Sequence, residues 1–172
     1  LTAPTGSITD AGSAFGGEDV IAAGLRMVAG IGIGQSADHL ETKVATLTTR
    51  ATSGGTFMTE TDALTIDNVD VSIQQVAANA STGQVVDATQ SDLITTAGNG
   101  SIVIVTGGDL TINDGTAATD NTGVSAHGTG NILLSTTGTI TANADLNSGT
   151  GHITLVASDS IEFTATADAR TA

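Results

Sequence analysis

Asn99-Gly-Ser-Ile-Val-Ile-Val-Thr-Gly-Gly-Asp-Leu-Thr-Ile-Asn113, Thr129-Gly-Asn-Ile-Leu-Leu-Ser-Thr-Thr-Gly-Thr-Ile-Thr-Ala-Asn143 and Thr150-Gly-His-Ile-Thr-Leu-Val-Ala-Ser-Asp-Ser-Ile-Glu-Phe-Thr164 are three spellings of one pattern. In each, a Gly stands two places before an alternating apolar pair, and a second pair begins eight residues after the first. The pairs are Ile102/Ile104 with Leu110/Ile112, Ile132/Leu134 with Ile140/Ala142, and Ile153/Leu155 with Ile161/Phe163. Alternation of period two over four or five residues describes a strand with one buried face, and Ile, Val and Thr suit a pleated surface. The few residues between the two strands of a copy bend the chain and leave no room for a crossover helix.

A third short strand follows in the first two copies, at Val124/Ala126 in the first and Ala144/Leu146 in the second. Asn113 and Asn143 close the second strand, and Asn is the non-glycine residue that best tolerates a left-handed corner. The step from Ile132 to Ile153 is 153 − 132 = 21 residues; that from Ile102 to Ile132 is 30, the excess being the polar loop Gly115 to Gly123. Three strands with tight corners in about twenty residues make one coil of a solenoid whose coils stack in parallel at about 4.8 Å. The expected fold is all-β: one single-domain parallel β-helix over residues 1–172, with about 21 residues per coil and roughly seven to eight coils with inserted loops.

The Gly-x-Ile-x-Leu coils, together with Gly30-Ile-Gly-Ile-Gly34, Leu40-Glu-Thr-Lys-Val-Ala-Thr-Leu47 and Ala63-Leu-Thr-Ile66, resemble the β-helical repeat regions of giant bacterial surface proteins of the filamentous-haemagglutinin type. The resemblance spans essentially the whole chain. It implies a right-handed β-helix and a secreted or cell-surface adhesin, stalk or matrix protein, and it hands over no catalytic residues.

Composition agrees with a narrow solenoid. Aromatic residues are 2% of the chain, Trp and Tyr are absent, and 22 residues are Gly, so no core is built on large side chains. Absence of Cys removes disulfides, thiol chemistry and zinc-thiolate sites. Four basic residues against eighteen acidic give a net charge of −14, which argues against binding nucleic acid or anionic membranes through phosphates. No apolar run is long enough to cross a bilayer, and no signal peptide opens the chain. The pattern is already under way at Leu1 and still running at Ala172, as in a piece of a longer array.

Earlier in the chain, Ile8, Val20, Ala22, Leu25, Met27, Ile31 and Ile33 read as the first coil or two, with a loop at Gly12 to Glu18. Asp38 to Arg50 is double-valued. Leu40, Val44 and Leu47 have helical spacing, and Asp38 with Glu41 makes a capping box. Thr42, Thr46, Thr48 and Thr49 are poor helix formers, and with the flanking repeats they favour extended structure. Phe57/Thr59, Leu64/Ile66 and Val69/Val71/Ile73 read as a three-strand coil, and Val85/Val86 with Leu93 as a shorter one.

Chemistry has few places to reside. Asp109, Asp114, Asp120 and Asn121 gather hard oxygen ligands in a Gly-rich loop and are candidate calcium ligands, although corner Asx residues need no ion. An enzyme is not expected: basic groups are limited to Arg26, Lys43, Arg50 and Arg170, and sugar-stacking aromatics to Phe15, Phe57 and Phe163, the last at an inward position. His39, His127 and His152 fall at corners; the latter two precede consecutive coils and read as solvated corners before a shared metal site. Thr111, Thr139, Thr141 and Thr154 suit outward rows, the routine solvent face of a strand and also a surface for a regular lattice such as ice. The expected function is a stiff shaft or a fibre subunit stacking end to end; the alternative is a carbohydrate- or cell-surface-binding module using the loops Gly12–Glu18 and Gly115–Gly123.

Overall fold

The computed structural model describes residues 1–12 and 17–172, and among these every regular element is a strand. In chain order they are β1 (Thr2–Ala3), β2 (Val20–Ala29), β3 (Leu40–Ala51), β4 (Thr56–Glu60), β5 (Leu64–Ile66), β6 (Ser72–Val76), β7 (Thr82–Val86) and β8 (Leu93–Thr95). There follow β9 (Ile102–Thr106), β10 (Leu110–Ile112), β11 (Thr122–Ala126), β12 (Ile132–Thr136), β13 (Ile140–Ala142), β14 (Asp145–Ser148), β15 (Ile153–Ala157), β16 (Ile161–Phe163) and β17 (Ala169–Arg170). Fifteen of them form one parallel sheet that curls round on itself, giving a β-helix-like coil; β6 and β7 form a separate antiparallel pair.

The register is the one that the sequence repeats dictate. Ile102, Ile132 and Ile153 are Cα partners, as are Ile104, Leu134 and Leu155. Leu110, Ile140 and Ile161 align on the second face, with Ile112, Ala142 and Phe163 beside them. Strands β8, β11, β14 and β17 make the third face. The inward rows pack into one core running from Leu25 to Ala167.

Strand β3 is extended throughout, so the tetrad of threonines prevails over the helical spacing of Leu40, Val44 and Leu47. It turns two corners without a break: Leu40–Thr42 pair with β4, Thr46–Leu47 with β5 and Thr49–Ala51 with β8. At the first corner the backbone ladder lapses, and a side chain takes over. The buried Glu60 carboxylate accepts hydrogen bonds from the Val44 amide at 3.0 Å, the Thr42 hydroxyl at 2.7 Å and the Thr61 amide at 3.1 Å. Burial raises the Glu60 pKa, while the bonds from Thr42 and Val44 oppose the rise.

On the first face the ladder Ile8, Ile33, Thr56, Ile102, Ile132, Ile153 has six rungs, preceded by the partial turn containing β1. Even spacing of 21 residues overcounts the coils because insertions leave the stack. The segment containing Val71 and Ile73 is not the third strand of its coil; Leu93–Thr95 fills that place, pairing with β3 and β11. Ser72–Val76 instead pairs with Thr82–Val86, which removes Val85 and Val86 from the stack as well. The hairpin is closed by the Ala77–Ser81 turn, with Ala80 at φ 62°. Its strands are exposed on both faces.

Corner chemistry also differs from expectation. Neither Asn113 nor Asn143 is left-handed; the non-glycine residues with positive φ are Ala80, Asp92, Asn99 and Asn121 among the described residues. The two asparagines instead form a ladder, Asn143 Nδ2 donating to Asn113 Oδ1 at 2.9 Å and Asn113 Nδ2 to Asp67 Oδ2 at 2.8 Å. Gly130, two places before Ile132, is required by close approach: a Cβ there would lie 2.3 Å from the Gly100 carbonyl oxygen of the preceding coil.

Candidate functional site

The loop from Asn113 to Asn121 leaves the second face and returns to β11 on the third. Asp114 Oδ1 and Asp120 Oδ1 both accept the Thr122 amide, at 3.1 and 3.0 Å, so these two acids converge on the start of β11. Asp109 lies before β10, at the opposite end of that strand, and its Oδ1 accepts the Thr139 amide of the next coil at 2.8 Å. Asn121 turns its amide to Asp145 Oδ1 at 3.1 Å and the Thr166 carbonyl at 2.6 Å. Each candidate calcium ligand thus has a corner-stabilising bond, and Asp109 stands apart from the rest.

Another acidic group is compact enough to share an ion. Carboxylate oxygens of Asp10, Asp19 and Glu41 lie within 4.8 Å of one another, a spacing a hard divalent cation accepts. Asp19 Oδ2 also accepts the Glu41 amide at 3.1 Å. Burial first, and then the Asp19 charge, raise the Glu41 pKa. The sequence conceals this group because its members are distant along the chain. Ser13 to Gly16, including Phe15, lie outside the described residues, and with them most of the Gly12–Glu18 loop.

The histidines do not converge. His39 Nδ1 is 3.0 Å from Thr59 Oγ1, and its ring is 6.1 Å from that of Phe57. His127 follows Ala126, which aligns with Ser148, whereas His152 aligns with Asn131 through an amide bond of 2.8 Å to Asn131 Oδ1. They occupy different places in their coils. The threonines divide likewise: Thr46, Thr65, Thr111 and Thr141 form a row in register, ended by Glu162, while Thr154 lies on the first face beside Leu133.

Two further features lie outside the expected sites. A cavity of about 290 Å³ opens beside the third face, lined by Arg26, Arg50, Gln90, Ser91 and Asp92 and by Ala117 and Ala118 of the 113–121 loop. Asp92 is 2% exposed and left-handed at φ 68°. Its Oδ2 accepts the Ser91 hydroxyl at 2.8 Å, and its Oδ1 is buried without a partner. Burial raises its pKa to about 7 against the opposing Ser91 bond; Asp120 and Asp114 add to the rise and Arg50 moderates it.

The second feature is the last coil. Strands β15, β16 and β17 each pair on one side only. Ile161 and Phe163 are 44% and 41% exposed, although their partners Ile140 and Ala142 in the preceding coil are fully buried. Phe163 is inward by register, as expected, and lacks a coil to cover it.

No helix among the described residues is long and apolar enough to cross a membrane. Compared with family models, with curated proteins and with solved structures, the chain matches none.

Proposed function

We propose that the chain is a structural and adhesive segment of a bacterial extracellular or cell-surface protein, a right-handed parallel β-helix that serves as a stiff shaft or as a fibre subunit stacking end to end. The uncovered last coil carries this reading. Its inward row offers Ile161 and Phe163, and its backbone edge offers unpaired amides and carbonyls in the direction of stacking. An unpaired parallel edge of this kind is a template for another strand set. The next coil of a longer polypeptide or the first coil of a second copy meets the same chemical requirement. The acidic, cysteine-free composition supports an extracellular setting, and the handedness follows the resemblance to adhesin repeats.

Negative-stain electron microscopy over a concentration series, with calcium and with chelator, tests self-assembly. Filaments of uniform width that are lost in Phe163→Asp are expected of a fibre subunit. Short rods at every concentration would reject the stacking of copies. Calcium dependence would give the acidic loops a structural role.

One observation favours a second reading, a carbohydrate- or cell-surface-binding module. The β6–β7 hairpin projects from the coil and exposes Ile73, Val76 and Val86. Saturable binding of a defined glycan by the isolated chain discriminates this reading from a bare shaft.

A further inference from the structure

We propose that the cavity lined by Arg26, Arg50, Gln90, Ser91 and Asp92 is a binding site for a small organic carboxylate. This inference stands apart from the shaft reading and survives its failure. The chain has four basic residues, and two of them line this one cavity. Neither is well neutralised. Arg26 has a side chain only 15% exposed, its Nη1 stands 3.5 Å from Asp87 Oδ2, and its Nε is buried without a partner. Arg50 is exposed and has no carboxylate within 4 Å among the described residues. Buried or half-buried guanidinium groups favour a planar, bidentate anion.

The surroundings select the charge of that anion. Asp87 approaches Arg26, and Asp114 and Asp120 act on Asp92 from the neighbouring loop, so these acids offset the two arginines and limit the site to an anion of low charge. A carboxylate meets that limit better than a phosphate dianion. Asp92 lines the same cavity, and a protonated carboxyl there donates to an anion that its ionised form repels. The other charged group at hand is the Leu1 amino group, which donates to the Arg26 carbonyl at 2.6 Å.

The test is a heteronuclear NMR titration of the whole chain at pH 6 and pH 8. The probes are D-glucuronate and N-acetylalanine as sugar and peptide carboxylates, with glucose, N-acetylalanine amide and inorganic phosphate as controls. Saturable shifts at Arg50 and Gln90 to Asp92 are expected with the carboxylates and not with the neutral controls. Binding should weaken about tenfold in Arg50→Gln, an exposed position that leaves the core intact, and should be tighter at pH 6 than at pH 8. Arg50→Lys keeps the charge without the fork, and affinity between those of wild type and Arg50→Gln is expected. The tighter carboxylate identifies the source of the ligand. No saturable shift, tighter binding of phosphate, equal shifts with the neutral controls, or an affinity indifferent to Arg50→Gln would each overturn the proposal.

Discussion

Burial of Asp92 makes neutral pH costly to the folded chain. Its carboxyl titrates near 7 in the fold, against 3.8 for an unperturbed Asp, because the charged form is removed from water with one oxygen unbonded. Between those values the folded chain holds a proton that the unfolded chain has released, so stability falls as pH rises. The favourable contribution is complete below about pH 3.8 and lost above about pH 7, and a shift of this size corresponds to about 4 kcal/mol. Asp92→Asn removes the titration and tolerates the left-handed backbone. Urea unfolding should show the variant more stable than wild type at pH 8, with the difference closing toward pH 3.5. A variant less stable than wild type at pH 8 would contradict the assignment. Nothing in the sequence around Asp92 announces this, since the segment is tied to residues distant along the chain: the Thr48 hydroxyl donates to the Asp92 carbonyl, and Gln90 donates to the Met27 carbonyl and the Thr48 hydroxyl. Glu60 is hidden for the same reason: its place is set by a lapse in the ladder at Val44. Asn113 and Asn143 were legible as corner residues, but their ladder bonds, and not a left-handed turn, account for them.

At the scale of elements, legibility follows from the period of two. Where successive copies repeat it in the same phase, as in β9, β12 and β15, sequence alignment and spatial register coincide. Alternation does not say with which strand a segment pairs. Val69/Val71/Ile73 alternates as well as any coil strand, yet the run beyond Val71 folds back on Thr82–Val86. The distinguishing signal was the Asn79-Ala-Ser-Thr-Gly83 cluster, a turn set between two short β-prone runs. Because the hairpin adds no buried side chain, it is separable from the coil. Replacing Ser72–Val86 by two glycines, between Val71 and Asp87 whose backbones already bond at 2.9 Å, should change unfolding free energy by no more than about 1 kcal/mol. Loss of cooperative unfolding in that variant, followed by circular dichroism, would show that the hairpin holds the stack together. The 113–121 loop was equally legible as an insertion, and the strand read at Leu110/Ile112 already separates Asp109 from Asp114 and Asp120.

Over the whole molecule, stability is a sum of coils and the interfaces between them. Interior coils are covered above and below; the last is covered once, so its strands should open with less free energy than those of interior coils. Covering of that coil by a second copy is open to direct measurement by amide hydrogen exchange across a concentration series. At low concentration, protection should be high in Ile132–Ala142 and low in Ile153–Phe163. As concentration rises, protection of Ile153–Phe163 should climb to match that of Ile132–Ala142, while the exposed hairpin stays unprotected. Exchange at Ile153–Phe163 that remains fast at every concentration would contradict the stacking of copies on this edge.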